Sequence, residues 1–295
     1  MMTEFGKAII ALTNEIASRA TERDPCDTER DGILFCGKCG EPKQALIELP
    51  AGEDGETVQK LVSVVCRCQI EQDEREKDRL RKVRFEQRLK DSRAMIGGKR
   101  SFESYSFVSD DSPTSPISKT CRRYVEQWDD MQKNNMGILF CGRKGTGKSF
   151  YAMCIANALA EKQILTGFTT TTALMNTLQG SWDKDEIIDA VCRFRLLVLD
   201  DLGAERNTAY GDEMIYNIIN ERYLTNRPTI VTTNFSLEEM KSESDMWRSR
   251  IYDRVIEMCP IPLRMDGESR RSGIADTRRQ MARDFLSGKT DGDGS

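Results

Sequence analysis

Residues 137–150 read GILFCGRKGTGKSF, a complete phosphate-loop motif between an apolar run and a helical sequence. Its fixed positions, GxxxxGK followed by Ser or Thr, are Gly142, Gly147, Lys148 and Ser149. The backbone N–H groups of such a loop point at the phosphates of a nucleotide, and the following helix adds partial positive charge at its N-terminus. A glycine-rich turn before a helix is the alternative, but the strand–loop–helix context favours nucleotide binding.

The side chains of this loop have separate predicted roles. Lys148 can reach the β- and γ-phosphates of ATP, and the hydroxyl of Ser149 is placed to ligate Mg²⁺. The glycines let the backbone wrap closely around the β-phosphate. The residues predicted to contact the nucleotide in this segment are Gly142, Lys144, Gly145, Thr146, Gly147, Lys148, Ser149 and Phe150.

Two carboxylates follow the apolar run LLVL at 196–199. Parallel α/β sheets bind ligands at the carboxyl ends of their strands, so these acids are expected to face the phosphate loop. We predict that Asp200 orients Mg²⁺ through water and that Asp201 polarises the attacking water. Two exposed turn aspartates are the alternative, but a buried strand downstream of a phosphate loop favours the nucleotide site.

A third polar residue, Asn234, ends the apolar run PTIVTT at 228–233. Its amide could hydrogen-bond the γ-phosphate or the attacking water, whereas the competing interpretation is a helix cap before Ser236. Its order after the phosphate loop and the two acids favours the nucleotide site.

From Gly137 onward, four short apolar runs alternate with helical patterns. This alternation predicts an α/β fold with a central parallel sheet covered on both faces. One helix is predicted to begin at Lys148, and further helices follow the second apolar run to about Arg193. Another helix is predicted to begin at Asp212, and helices follow the fourth run to about Met258. The predicted strands are GILFC at 137–141, ILTGFTT at 164–170, RLLVLD at 195–200 and PTIVTTN at 228–234.

The cysteines suggest a metal site near the N-terminus. The chain has ten cysteines and no histidine, so a metal must be bound by thiolates or carboxylates. Cys36 and Cys39 form C-x2-C, and Cys66 and Cys68 form C-x-C, a tighter pair than usual. Four thiolates leave Zn²⁺ no open position, so we predict a structural ion, with metal-free cysteines as the alternative. Six other thiols are scattered along the chain: Cys26, Cys121, Cys141, Cys154, Cys192 and Cys259. Four of them lie in predicted strands or helices, and those are predicted to be small buried residues.

Composition narrows the class of protein. The 295 residues carry a net charge of −4, so the chain lacks the net positive charge that is typical of proteins that bind DNA on their own. Any contact with nucleic acid must be local or shared among subunits. There is no apolar run that could cross a bilayer and no signal peptide, so we expect a cytoplasmic protein without membrane contact.

The chain before the phosphate loop divides by composition. Residues 4–20 have the apolar spacing of an amphipathic helix, whose face is either core or a docking face. Residues 69–93 are mostly charged and predict a solvated connector helix, with a coiled coil or partner-binding helix as the alternative. A loop at 108–119 precedes a helix that begins near Ser118.

The predicted domains are an N-terminal zinc-binding and helical domain at 1–95, a linker at 96–117, an ATPase domain at 118–287 and a disordered tail at 288–295.

These motifs together resemble a known family. The segments KRSFESYSF, CRRYVEQWDDM, GILFCGRKGTGKSF, LLVLDDLGAER, IVTTNF, RIYDR and GESRR occur in the order seen in DnaC/IstB-type ATPases of the AAA+ class. The resemblance covers about residues 30–285 and is strongest to phage and Gram-positive helicase loaders. LDDLG is rather specific for this family within AAA+ proteins, whereas the phosphate loop alone would fit many ATPases.

The resemblance implies roles for two arginines. Arg254, in RIYDR, is similar to the arginine finger that completes the ATP site of a neighbouring subunit. Arg271 is similar to the second sensor that contacts the phosphates in its own subunit, and Arg270 stays an alternative. Most AAA+ ATPases carry Asp-Glu where this chain has Asp200-Asp201, so the shorter second acid implies slow hydrolysis.

The function implied by the resemblance is ATP-dependent loading of a replicative ring helicase onto single-stranded DNA. The N-terminal module would dock on the helicase, and the chain would form a homo-oligomeric ring or spiral there. One alternative is an IstB-like transposition helper that polymerises on duplex DNA, although such helpers normally lack the cysteine module. Another is a nucleotide-gated adaptor that scarcely hydrolyses ATP.

Overall fold

The computed structural model describes residues 23–50, 57–98, 100–203, 209–267, 269 and 279–286. Two compact units divide between Arg84 and Phe85. Three predicted features lie outside the described residues: the helix at 4–20, the two sensor candidates Arg270 and Arg271, and the tail from 288.

The first unit contains two antiparallel hairpins. Strands β1 (Thr28–Arg30) and β2 (Ile33–Phe35) pair across Asp31-Gly32, whose positive φ angles of 49° and 74° suit a two-residue hairpin turn. Strands β3 (Gln44–Pro50) and β4 (Thr57–Ser63) form the second pair. Helix α1 (Arg67–Met95) begins directly after them and contains the charged stretch predicted to be helical.

The second unit is built on a five-stranded parallel sheet in the order β6-β7-β8-β5-β9. This confirms the predicted α/β class. The strands are β5 (Ile138–Cys141), β6 (Thr166–Thr170), β7 (Leu196–Leu202), β8 (Thr229–Thr233) and β9 (Ile261–Arg264).

Strand β9 was not predicted, because its four residues IPLR include a proline and end in an arginine and so do not indicate a strand. It lies at the edge of the sheet, and its residues IPLR alternate between half-buried and exposed. Proline at 262 is tolerated there because an edge strand has one side without a hydrogen-bonded neighbour.

Helices cover both faces of the sheet, as predicted. Ser115 caps α2, since its side chain accepts from the N–H of Ser118 and Pro116 fits the first turn. The helix predicted near Ser118 therefore begins two residues earlier. The helices are α2 (Pro116–Glu126), α3 (Trp128–Lys133), α4 (Lys148–Glu161), α5 (Thr171–Gly180), α6 (Lys184–Arg193), α7 (Ala209–Leu224), α8 (Leu237–Lys241) and α9 (Met246–Met258).

Two apolar clusters lie on the two faces of the sheet. Alternate residues of each strand enter opposite clusters: Leu197 and Leu199 of β7 pack on one face, while Leu196 and Val198 pack on the other. Helices α5, α6, α7 and α9 complete the first cluster, and α2, α3 and α4 complete the second. The sheet is thus held from both sides, with its carboxyl edge left to carry polar residues.

The segment 96–117, predicted to be a linker, packs within the second unit. Phe102, Tyr105 and Phe107 contact the cluster beneath α4. The buried carboxylate of Asp110 accepts hydrogen bonds from the hydroxyls of Tyr151 and Ser118. The aromatic residues of this segment therefore belong to the core of the second unit.

The end of α1 also differs from the predicted solvated connector. Phe85, Leu89 and Met95 pack against the first cluster, and the Arg93 side chain is buried. Its Nε donates to the carbonyl of Thr166 at 3.0 Å, and its guanidinium lies 4.3 Å from the ring centre of Phe168. Burial lowers the pKa of Arg93 to about 10.

Candidate functional site

The phosphate loop runs from the end of β5 into α4, as its motif requires. Gly142 has a φ of 118°, and a Cβ built there would lie 2.5 Å from the carbonyl oxygen of Met265. Gly145 has a φ of 82°, and a Cβ there would lie 2.1 Å from the Ser269 hydroxyl. The chain that follows β9 thus lies directly against the loop, so larger residues cannot replace these glycines without moving it.

Lys148 is held at the centre of the loop and is only 5% exposed. Its Nζ donates to the carbonyl oxygens of Gly142 and Arg143, both at 2.7 Å, and to Oδ1 of Asn234 at 3.0 Å. The amine therefore joins the phosphate loop to the end of β8. An anion entering the loop would meet this cation already in place.

Asp200 lies at the carboxyl end of β7 and is 3% exposed. Its Oδ1 accepts a hydrogen bond from the Thr232 hydroxyl at 2.6 Å, and the Ser149 side chain also bonds to it. Burial raises the pKa of Asp200, and the bonds with Thr232 and Ser149 oppose that rise. A buried carboxylate beside a hydroxyl is a set of oxygen donors that fits Mg²⁺.

Asp201 is partly exposed and has an unusual backbone. Its φ is 58°, and the β7–β8 register shifts between Leu199 and Leu202. Its N–H donates to the Thr232 hydroxyl oxygen at 2.9 Å, while its carbonyl accepts from Thr171 at 2.9 Å. This bulge separates the two carboxylates into different surroundings, one buried and one accessible.

The remaining loop residues surround this centre. Thr146 is buried and donates to the carbonyl of Arg143 at 2.9 Å, whereas Lys144 is exposed. Phe150 is half-buried with its ring centre 5.7 Å from that of Tyr105. Tyr105 was not predicted as a site residue, although it belongs to the KRSFESYSF segment.

Arg254 lies on another surface of the second unit. Its guanidinium lies 4.1 Å from the ring centre of Tyr223 and 3.8 Å from a carboxylate oxygen of Glu257. Its side chain is 32% exposed. These contacts lie on α7 and α9 and involve no residue of the phosphate loop, so the structure does not bring Arg254 to the site in its own chain.

The four predicted zinc ligands converge in the first unit. The sulfur atoms of Cys36, Cys39, Cys66 and Cys68 all lie within 4.8 Å of one another, with Cys68 3.4 Å from both Cys36 and Cys66. Tetrahedral zinc with bonds of about 2.3 Å would space sulfurs about 3.8 Å apart, so the cluster fits this ion. Backbone N–H groups of Cys39 and Lys38 lower the pKa of Cys36 to about 6, which favours the thiolate.

A carboxylate that was not predicted supports the cysteine cluster. Asp27 accepts from the N–H of Gly37 at 3.1 Å and from Nζ of Lys43 at 2.7 Å. The Lys43 ammonium holds the pKa of Asp27 at about 2. A lone aspartate has no sequence pattern that would reveal this role.

The other cysteines divide by environment. Cys121, Cys141 and Cys154, which lie in predicted elements, are buried as predicted, while Cys192 is half-buried. Of the remaining two, Cys259 is buried, and Cys26 is exposed and donates to Asp24 at 3.1 Å.

Part of this chain is similar to known proteins. The model of the family described as IstB-like ATP binding protein matches residues 58–276. The replicative helicase loader DnaI of Bacillus subtilis is 30% identical over 161 residues, which cover 50% of this chain and 51% of the relative. The replicative helicase loader DnaC of Escherichia coli K12 is 31% identical over 160 residues, covering 52% and 62%. The chain therefore spans about half to three fifths of these relatives.

Two solved structures are similar to part of this chain. The crystal structure of DnaI has a TM-score of 0.49 at 25% identity, covering 57% of this chain and 94% of that one. The DnaC helicase loader has a TM-score of 0.47 at 25% identity, covering 57% and 100%.

No helix among the described ranges has both the length and the apolar character needed to cross a membrane. The parallel sheet, the phosphate loop after β5 and the two acids at the carboxyl end of β7 have the arrangement of an AAA+ P-loop protein. Since the family model extends over more than half of the chain, this protein belongs to the IstB-like ATP binding protein family.

Proposed function

We propose that this chain is an ATP-dependent loader that binds a replicative ring helicase and delivers it to single-stranded DNA when replication begins. The proposal depends on the position of Lys148, whose amine bonds to both the phosphate loop and Asn234. The chain belongs to the IstB-like family, and its relatives DnaI and DnaC are named replicative helicase loaders. Because only part of each relative is matched, the partner and the DNA are inferred from those names.

ATP hydrolysis is the proposed activity of the site. The loop N–H groups and Lys148 bind the phosphates, and Asp200 with Ser149 would hold magnesium. A bound magnesium ion would supply charge neutralisation on the phosphates. Asp201, the more accessible carboxylate, polarises the attacking water, and Asn234 orients it or the γ-phosphate. The short Asp201 side chain supports slow turnover.

The site is proposed to be completed between subunits. Arg254 is partly exposed on the α7–α9 surface, which supports its use by a neighbouring copy in a ring or spiral on the helicase. Arg271 is proposed as the second sensor in the same chain. The resemblance of the GESRR segment to the family's motif supports this role.

The first unit is proposed to be the helicase-docking module, held by zinc at its four cysteines. We place the protein in the cytoplasm, where a replicative helicase works.

The test is capture and loading of the helicase. Full-length tagged chain would be co-expressed with a replicative ring helicase, purified, and mixed with circular single-stranded DNA and ATP. We expect a stable complex and ATP-dependent transfer of helicase onto the circle. Lys148→Ala should still capture the helicase, yet bind ATP about 10- to 100-fold more weakly and fail in transfer, because a charged phosphate contact is lost. Absence of helicase from the purified complex would overturn the proposal.

A further inference from the structure

The Thr232 side chain bonds to both aspartates, to the carboxylate of Asp200 and to the backbone N–H of Asp201. It is completely buried on β8, and its hydroxyl makes two hydrogen bonds to β7. The hydroxyl donates to Oδ1 of Asp200 at 2.6 Å and accepts from the N–H of Asp201 at 2.9 Å. A hydroxyl can donate and accept at once, whereas an ammonium can only donate and a carboxylate can only accept.

The end of β8 joins this contact to the phosphate loop. Thr232 is the next-to-last residue of the strand, and Asn234 follows the final strand residue, Thr233. Asn234 accepts from Lys148 while Thr232 binds Asp200, so the carboxyl end of β8 contacts both the cation and the carboxylate. The residue between them, Thr233, donates instead to the carbonyl of Leu202 at 2.9 Å.

The geometry points to Thr232 as a positioning residue for the two carboxylates, an inference that rests on the proposed ATPase function. It holds the Asp200 carboxylate in the orientation that would bind magnesium, and it holds the bulge that gives Asp201 its separate place. In this role Thr232 acts through Asp200 and Asp201.

The physical reason is that the strand alone fixes neither the backbone conformation of Asp201 nor the side-chain orientation of Asp200. Asp201 has a positive φ, which is unfavourable for a residue with a side chain and persists only where its surroundings hold it. Asp200 is buried, so rotation away from Thr232 would leave a carboxylate oxygen unpaired in a region of low dielectric. Removing one hydroxyl therefore frees both groups.

The experiment compares Thr232→Val with Thr232→Ser in the full-length chain, with Thr233→Val as the matched control. Valine has the shape of threonine without the hydroxyl, and serine restores the hydroxyl. Thr233 is equally buried and also loses a hydrogen bond, but that bond ends on the Leu202 carbonyl rather than on Asp200 or Asp201. The measurements are kcat for ATP, ATP affinity with magnesium and in EDTA, and the midpoint of thermal unfolding.

We expect Thr232→Val to lower kcat by about 10- to 100-fold, the usual loss when a hydrogen-bond partner of a metal-binding carboxylate is removed. The gain in ATP affinity on adding magnesium should shrink by a similar factor, while affinity in EDTA stays within about threefold because the phosphate loop is intact. Thr232→Ser and Thr233→Val should stay within about threefold of the wild type in every nucleotide measurement. If valine at 232 prevents folding, Thr232→Ala against Thr232→Ser makes the same comparison.

Two results separate this inference from the proposed function. If the wild type hydrolyses ATP and Thr232→Val behaves like Thr233→Val, the positioning role is wrong and the ATPase assignment stands. If the wild type does not hydrolyse ATP, the proposed activity fails, yet loss of the magnesium-dependent affinity in Thr232→Val alone would still support the role of Thr232.

Discussion

The two units of this chain are stabilised by different chemistry. Before Phe85, the apolar or sulfur-containing side chains that the structure describes as buried are Leu34, Cys36 and Cys66, and two of these belong to the cysteine cluster. The second unit instead buries a cluster on each face of its sheet. A unit with so little buried apolar area needs a cross-link, whereas the sheet unit is held by hydrophobic burial. Each should therefore fail under different conditions.

Removal of zinc should have the largest effect and should be confined to the first unit. A structural zinc site contributes about 10–16 kcal/mol to folding in small domains, far more than this unit's core could replace. Chelation should make the four cluster thiols reactive and unfold the first unit. Fluorescence of Trp128, Trp182 and Trp247, all in the second unit, should not change. Elemental analysis should give about one zinc ion per chain.

A pair of cysteine variants provides the control for this prediction. Cys36→Ser should abolish zinc binding, whereas Cys26→Ser should not, because the Cys26 sulfur is exposed and outside the cluster. Full zinc content in Cys36→Ser would show that the cluster is not the metal site.

Replacement of Arg254 should have the next largest effect, and only on the second unit. Arg254→Ala should retain ATP binding but lose about 10³-fold or more in hydrolysis, because a trans arginine stabilises transition-state charge. Mixing it with Lys148→Ala should restore activity, since one variant keeps the intact phosphate loop and the other the intact arginine. Turnover is measured in the mixture after assembly has been confirmed. A normally assembled but inactive mixture would show that Arg254 does not complete the site of a neighbouring chain.

A smaller effect is expected where α1 enters the second unit. Arg93→Lys keeps the charge but loses the fork that donates to Thr166 and Asn157 and the stacking on Phe168. We expect the second unit to lose about 2 kcal/mol of unfolding free energy, measured by denaturant titration with tryptophan fluorescence. Arg88→Lys, on the exposed surface of the same helix, should change it by less than about 0.5 kcal/mol. Equal stabilities of the two variants would mean that Arg93 contributes only packing.

Patterns with a strict local rule were predictable from the sequence. The phosphate loop needs glycines, lysine and serine at fixed spacing between a strand and a helix, and strands β5 to β8 begin within the short apolar runs, so this order of elements was predictable. The exposed edge strand β9 obeys neither rule and was missed. Arg93 was assigned to solvent with the rest of a charged helix, because its partners Thr166 and Phe168 lie more than seventy positions away.

The sequence by itself determined which chemical groups are available: a lysine and hydroxyl in a phosphate loop, paired aspartates after an apolar strand, and four thiols without histidine. Only the tertiary structure decided how they meet. The parallel arrangement of β5, β7 and β8 brings Lys148, Asp200 and Asn234 to one edge, and the register shift in β7 gives Thr232 both carboxylate-bearing residues as partners. The physical reason is that spacing along a chain specifies local backbone shape, whereas hydrogen bonds between strands depend on register, which is set by the packing of the whole sheet.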